Sequence, residues 1–182
     1  MAALCLAHAH SLAAMVARLT VASEKWSDGH EIAREVIEGS DEAISDSLAL
    51  ADRDSDAFDS VMAAYRMPKK EDLRESRRQA IREATIGAAI VPLETLVSAS
   101  ELLHNLLEMS RECNSNALTD LASSAELAHT AARMAEMNVR INTDYLDGED
   151  VDEIEHSANE VMGRCDTALE GVKTSFMSRL GW

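Results

Sequence analysis

Apolar side chains recur at every seventh position along Ile37, Ile44, Ala51, Phe58 and Tyr65, with Leu48 and Met62 four residues beyond two of them. A repeat of that length demands a long α-helix with one buried stripe, because 3.6 residues per turn returns every seventh side chain to nearly the same face. A strand has no use for the spacing, since it returns side chains to one face at every second residue. Ser27 and Asp28 offer an N-cap for this helix, and Pro68 ends it, because the residue before a proline is pushed out of the α region. A helix from there to Arg66 is about 60 Å long at 1.5 Å per residue. The rest of the chain has to be built around it.

The remaining segments also read as helices. Residues from about Ala2 to Thr20 are small and apolar with few charges, which predicts a helix buried on most of its circumference. A third helix is expected from about Glu71 to Ala89, a break or kink at Val91-Pro92-Leu93, and a fourth helix through Leu93, Leu96, Leu103 and Leu107 to about Glu112. Cys113 to Asn116 is a polar junction before an alanine-rich helix from about Ala117 to Asn142. After the acidic turn Asp147 to Asp150, the apolar residues Val151, Ile154, Ala158, Val161, Cys165, Leu169, Val172, Phe176 and Leu180 repeat at spacings of three and four. Only 3% of the chain is aromatic and there are two prolines and seven glycines, too few to supply strands and turns. The prediction is an all-α bundle of five to six mostly long antiparallel helices, forming a single domain over residues 1–182.

Thirty-three acidic residues against seventeen basic ones give a net charge of −16, which repels a phosphate backbone and argues against nucleic acid as a partner. Lysine occurs only at Lys25, Lys69, Lys70 and Lys173. An acidic, lysine-poor surface of this kind predicts a halophilic or salt-accumulating host. Cys5, Cys113 and Cys165 form no CxxC pair, so a reduced cytoplasmic protein with buried thiols is expected. The first helix has no basic leader, and no apolar stretch is expected to reach the length of a bilayer, so no membrane partner is predicted.

Three Glu-x-x-His pairs, Glu101 with His104, Glu126 with His129 and Glu153 with His156, invite comparison with di-iron bundles, where such pairs point inward. At 100° per residue Glu153 and His156 fall on the solvent face, Glu101 and His104 on the flank of a leucine stripe, and only His129 on an apolar face. Solvated charges and a packed histidine therefore explain them, and no metal is predicted. His8 and His10, two apart, point in nearly opposite directions. No Ser/His/Asp order, phosphate-cradling glycine loop or dinucleotide fingerprint is present. What remains is a set of polar residues on otherwise apolar helices: Asp54, Asn116, Asp120, Asn138 and Asn142. The last two lie one turn apart on a helix apolar on nearly all sides, and a buried amide needs partners.

The stretch Asp54 to Lys69, with its Asp-x-x-Ala-Phe, Val-Met and Pro-Lys elements, resembles the signature of the cyclodeaminase/cyclohydrolase family of helical folate enzymes. Four other blocks agree with it in order: Ala14 to Thr20, Val91-Pro92-Leu93, Asn114-Ser115-Asn116-Ala117-Leu118-Thr119-Asp120, and Asn138-Val139-Arg140-Ile141-Asn142. Cysteine stands where the third block usually has glycine, and threonine stands for serine. The family's Pro-Gly-Gly-Gly-Ser loop before the first buried helix has no counterpart, so either the native start lies upstream of Met1 or a substrate-contacting loop is lost. After Thr20, Val21 to Trp26 keeps only Lys25 and the aromatic of the family pattern. The resemblance implies a folate one-carbon enzyme, foremost a methenyltetrahydrofolate cyclohydrolase. A formiminotetrahydrofolate cyclodeaminase and a non-catalytic folate-binding protein are the alternatives. It further implies a tetrahydrofolate derivative as substrate with no tightly bound cofactor, and a homodimer or higher homo-oligomer with sites between subunits. Asp54, Asp120 and Lys25 are the implied catalytic residues, with Asn116, Asn138 and Asn142 for the pterin edge and Lys69 for the glutamate tail.

Overall fold

A computed structural model describes residues 1–182 as five long helices and no strands: α1 (Ala2–Val21), α2 (His30–Arg66), α3 (Arg74–Glu112), α4 (Leu118–Thr143) and α5 (Glu149–Leu180). They run up and down in sequence. α1 to α4 close a four-helix ring, and α5 lies in the outer groove between α3 and α4. The interior is built from small side chains, with Ala9, Ala13, Ala17, Ala99, Ala125, Ala128, Ala132 and Ala135 interleaved with Leu96, Leu103, Leu106, Leu121 and Met109. Alanine at so many contacts lets the helix axes approach closely, and the leucines fill the space between layers.

The expected break at Pro92 is absent, and the third and fourth predicted helices are one, α3. A proline inside a helix deprives the carbonyl four residues earlier of its N–H donor, here Ala88 O. Asn142 Nδ2 from α4 donates to that carbonyl at 2.9 Å and also to Asn138 O at 2.9 Å. The proline is thus tolerated because a side chain of the neighbouring helix supplies the missing donor. Asn142→Ala is expected to lower stability by about 1–3 kcal/mol, the cost of leaving the carbonyl unsatisfied. Restoring the backbone N–H with Pro92→Ala should recover part of that loss. Additive effects in a denaturant double-mutant cycle would refute the link.

The start of α2 also differs from expectation. Glu24–Gly29 form a 3-10 turn capped by Ser23, and Gly29 rather than Ser27 or Asp28 precedes α2. The heptad seam is half-buried through Ile37, Ile44 and Ala51, but Phe58 and Tyr65 are 62% and 53% exposed. A strict seven-residue repeat drifts by about 20° per heptad on a straight helix, so the stripe has rotated off the body by its far end. Ala3 of α1, Leu50 of α2 and Val91 of α3 form a small buried cluster. Beyond it α2 and α3 continue as a hairpin in which Ala64 is the one buried residue between 51 and 87. On the α3 arm of that hairpin Arg82 grips Asp150 at 2.7 and 3.0 Å and Asp147 O at 3.0 Å, and its guanidinium holds the Asp150 carboxyl below the usual range.

Two segments are long and apolar enough to cross a bilayer, against the sequence expectation: α1, with mean hydropathy 1.4, and part of Glu71–Glu112, with 1.5. Half of each stretch is buried inside the bundle, as in core helices of equal length. The thiols of Cys113 and Cys165 are buried and that of Cys5 is half-buried, and burial raises all three above the ordinary thiol range.

His10 Nε2 is buried without a hydrogen-bond partner, and burial pushes its pKa down to about 4 from 6.5. Between those values the unfolded chain takes up a proton that the folded chain refuses, so stability falls as pH drops from 6.5 towards 4. Glu35, Glu42, Asp46 and Glu101 line the same hollow. The loss is about 2–3 kcal/mol at pH 4.5. Unfolding of wild type and His10→Gln at pH 7.5 and 4.5 should show a smaller acid loss in the variant; equal losses would remove His10 from the effect.

Candidate functional site

Lys25, Asn116 and Asp120 lie at the end of the bundle where α1 stops and α4 begins. Asn114 ties this end together: its backbone N–H donates to Thr20 Oγ1 at 3.1 Å, its Nδ2 to Leu19 O at 3.1 Å, and its Oδ1 accepts from the Asn116 N–H at 3.0 Å. Asn114 was not nominated from sequence, although an asparagine whose side chain can accept from the backbone N–H two residues on is a typical turn-former. It holds the loop so that Asn116 is exposed and Asp120 half-buried in the first turn of α4, near the positive end of that helix. Neither the Asp120 carboxylate nor the Asn116 amide has a side-chain hydrogen bond within the chain. Lys25 is exposed, its Nζ 4.5 Å from the centre of the Trp26 ring.

Asp54, Asn138 and Asn142 lie at the other end of α1. Asp54 is one turn beyond Leu50, and Asn142 is bonded to Ala88, about one turn beyond Val91 in the same direction, so both flank the N-terminus of α1. Asp54 and Asn138 are half-buried with unpaired side-chain polar atoms, while the amide protons of Asn142 are spent on Ala88 and Asn138. Only its Oδ1 remains for a ligand. Asp120 and Asn138 share one stripe of α4, eighteen residues being five turns, and between them the stripe packs on α1 through Ser124 Oγ to Ala9 O at 2.8 Å and Cys5 Sγ to Leu127 O at 3.3 Å. Eighteen residues also separate them by about 27 Å. Lys69 is farther still, exposed in the turn between α2 and α3. One chain therefore does not bring Asp54 and Asp120 to a common atom.

The largest hollow, about 680 Å³, runs between α3 and α5 past Ser100, Glu101, His104 and Arg164 and contains none of the nominated residues. Of the Glu-x-x-His pairs, Glu101, His104, Glu153 and His156 are exposed, and His129 Nε2 meets Asp166 at 2.7 Å as a latch between α4 and α5.

The family model described as formiminotransferase-cyclodeaminase matches residues 1–160. The chain belongs to the formiminotransferase-cyclodeaminase family. Within that family it is 30% identical over 138 residues to the methenyltetrahydrofolate cyclohydrolase of Methylorubrum extorquens, an alignment covering 75% of this chain and 66% of that protein. It is 29% identical over 133 residues to the formimidoyltransferase-cyclodeaminase of Rattus norvegicus, covering 72% of this chain and 25% of the relative. The chain thus spans just under two thirds of the bacterial relative and a quarter of the mammalian one. The crystal structure of formiminotetrahydrofolate cyclodeaminase from Thermotoga maritima superposes with a TM-score of 0.88 at 24% identity, over 100% of this chain and 87% of that one. The helical bundle read from the sequence is the family fold.

Proposed function

We propose that the chain is a folate one-carbon enzyme that hydrolyses methenyltetrahydrofolate to formyltetrahydrofolate. The observation that carries this reading is the cyclohydrolase alignment, which covers three quarters of the chain. In the reaction, water adds to the cationic carbon bridging two folate nitrogens and gives up one proton to a base, and the remaining hydroxyl proton passes to the departing nitrogen as one carbon–nitrogen bond breaks to leave the formyl group. A carboxylate serves twice here, as acceptor of the water proton and as negative charge beside the amidinium. Asp120 and Asp54 take these parts, Lys25 assists proton transfer, Asn116, Asn138 and the Asn142 carbonyl read the pterin edge, and Lys69 meets the glutamate tail.

Because Asp54 and Asp120 stand at opposite ends of α1, the reading requires a homodimer in which each site takes one end from each copy. Its compartment is the cytoplasm, in keeping with three free thiols. The surface is that of a salt-adapted protein, so molar potassium chloride should raise the thermal midpoint; a midpoint indifferent to salt would count against this.

Cyclodeamination is the second reading, favoured by the likeness to the Rattus norvegicus protein. There a folate nitrogen closes on the formimino carbon and ammonia leaves, through the same kind of tetrahedral carbon. Loss of methenyltetrahydrofolate absorbance on adding protein supports hydrolysis, and its appearance from formiminotetrahydrofolate supports deamination. Silence with both substrates would leave folate binding without catalysis.

A further inference from the structure

Residues 66 to 82 hold seven of the seventeen basic residues and only three acids, so the hairpin tip carries a net charge of +4 and the rest of the chain −20. Some of this charge is used internally: Arg77 donates to Tyr65 O and Met67 O, Arg74 pairs with Glu71 and Arg82 with Asp150. Arg66, Lys69, Lys70 and Arg78 are exposed and in no ion pair. Beside them Phe58 and Tyr65 present uncovered aromatic surface. The opposite charge lies on the same two helices, in the groove between the body portions of α2 and α3. That groove is lined by Glu31, Glu35, Glu42, Asp46, Glu101 and Glu112, none of them in an ion pair, and continues past exposed Ile90 and Val97.

These charges cannot meet within one molecule. From Glu35 to Arg66 the continuous helix α2 holds them about 46 Å apart. We propose that the basic hairpin tip of one copy lies in the acidic α2–α3 groove of a second copy, and reciprocally, so that two tips and two grooves form a two-fold dimer. The inference rests on the homodimer proposed above and specifies its surfaces. A contact of one patch with a different patch on the same chain closes after two copies if both contacts form at once. The dimensions agree: the hairpin from Leu50 to Arg66 is about 24 Å long and the groove from Ile90 to Glu112 about 33 Å. Charge complementarity sets partner and register, and Phe58 and Tyr65 supply apolar area that a small anion would leave uncovered.

Sedimentation of the full chain at micromolar concentration, with circular dichroism to check the fold, tests the assignment. Lys70→Glu with Arg78→Glu on the tip, and Glu35→Lys with Glu42→Lys in the groove, alter exposed side chains only. Each double variant alone is expected to raise the dimer dissociation constant at least about 100-fold, and mixing the two should restore association. A monomeric wild type would overturn both this inference and the homodimer beneath it. A wild-type dimer that either double variant leaves intact, or variants that fail to associate when mixed, would overturn the tip-in-groove contact alone.

Discussion

Asp120→Asn should slow methenyltetrahydrofolate hydrolysis by about 10²- to 10⁴-fold, the range expected when a positioned proton acceptor is lost. The substitution keeps the shape of the side chain and removes its charge. Asp120 is half-buried, bonds nothing through its side chain and lies outside the core, so the thermal midpoint should change little. Loss of a carboxylate at a helix N-terminus costs about 0.3–1 kcal/mol, far less than the barrier increase. An unchanged rate would remove Asp120 from the site, and a rate that falls only in step with the folded fraction would make it structural.

Gly29→Ala is expected to be the most damaging small substitution in the chain. A Cβ on Gly29 would sit 2.6 Å from Glu112 O and 2.9 Å from Glu112 C, both backbone atoms. That backbone has nowhere to retreat. On its far side Arg179 donates to Ser110 O at 2.7 Å and to Cys113 O at 2.6 Å, and Ser175 Oγ donates to Ser110 O at 2.9 Å, while Asn114 ties the following turn to Leu19 and Thr20. The overpacking cost is about 1–3 kcal/mol, or roughly 2–12 °C in thermal midpoint for a chain of this size. Gly171→Ala is the control. Its added methyl meets only the Leu107 side chain, Cδ1 at 2.7 Å and Cδ2 at 3.3 Å, a side-chain end that can shift, inside a helix where alanine is preferred by about 1 kcal/mol. Equal midpoint losses for the two variants would show that the α2–α3 junction is not rigid.

The contrast between these glycines marks what the sequence could reveal. Helix positions followed from apolar spacing, because local periodicity is a property of neighbouring residues. The seam through Ile37, Ile44 and Ala51 was legible for that reason, whereas the outward turn of Phe58 and Tyr65 depends on accumulated drift and on where α1 ends. Pro92 reads as a breaker because its remedy, Asn142, is fifty residues away. Gly29 looks like an ordinary loop glycine until the C-terminus of α3 is seen against it. The bilayer-length hydropathy of α1 comes from alanines that serve close packing. The blocks around Asp54, Asp120 and Asn138 were legible as a family resemblance, but their division between the two ends of α1 is a tertiary property.

That division makes the shared site testable with inactive proteins. Asp54→Asn and Asp120→Asn would each be inactive as homodimers, since both sites of each lack one carboxylate. After mixing and subunit exchange, half the dimers would carry one variant of each kind, and each of these would contain one site with neither substitution and one with both. The mixture should then recover about a quarter of wild-type methenyltetrahydrofolate hydrolysis. A mixture no more active than either variant alone, with exchange verified, would contradict a site built from opposite ends of two copies.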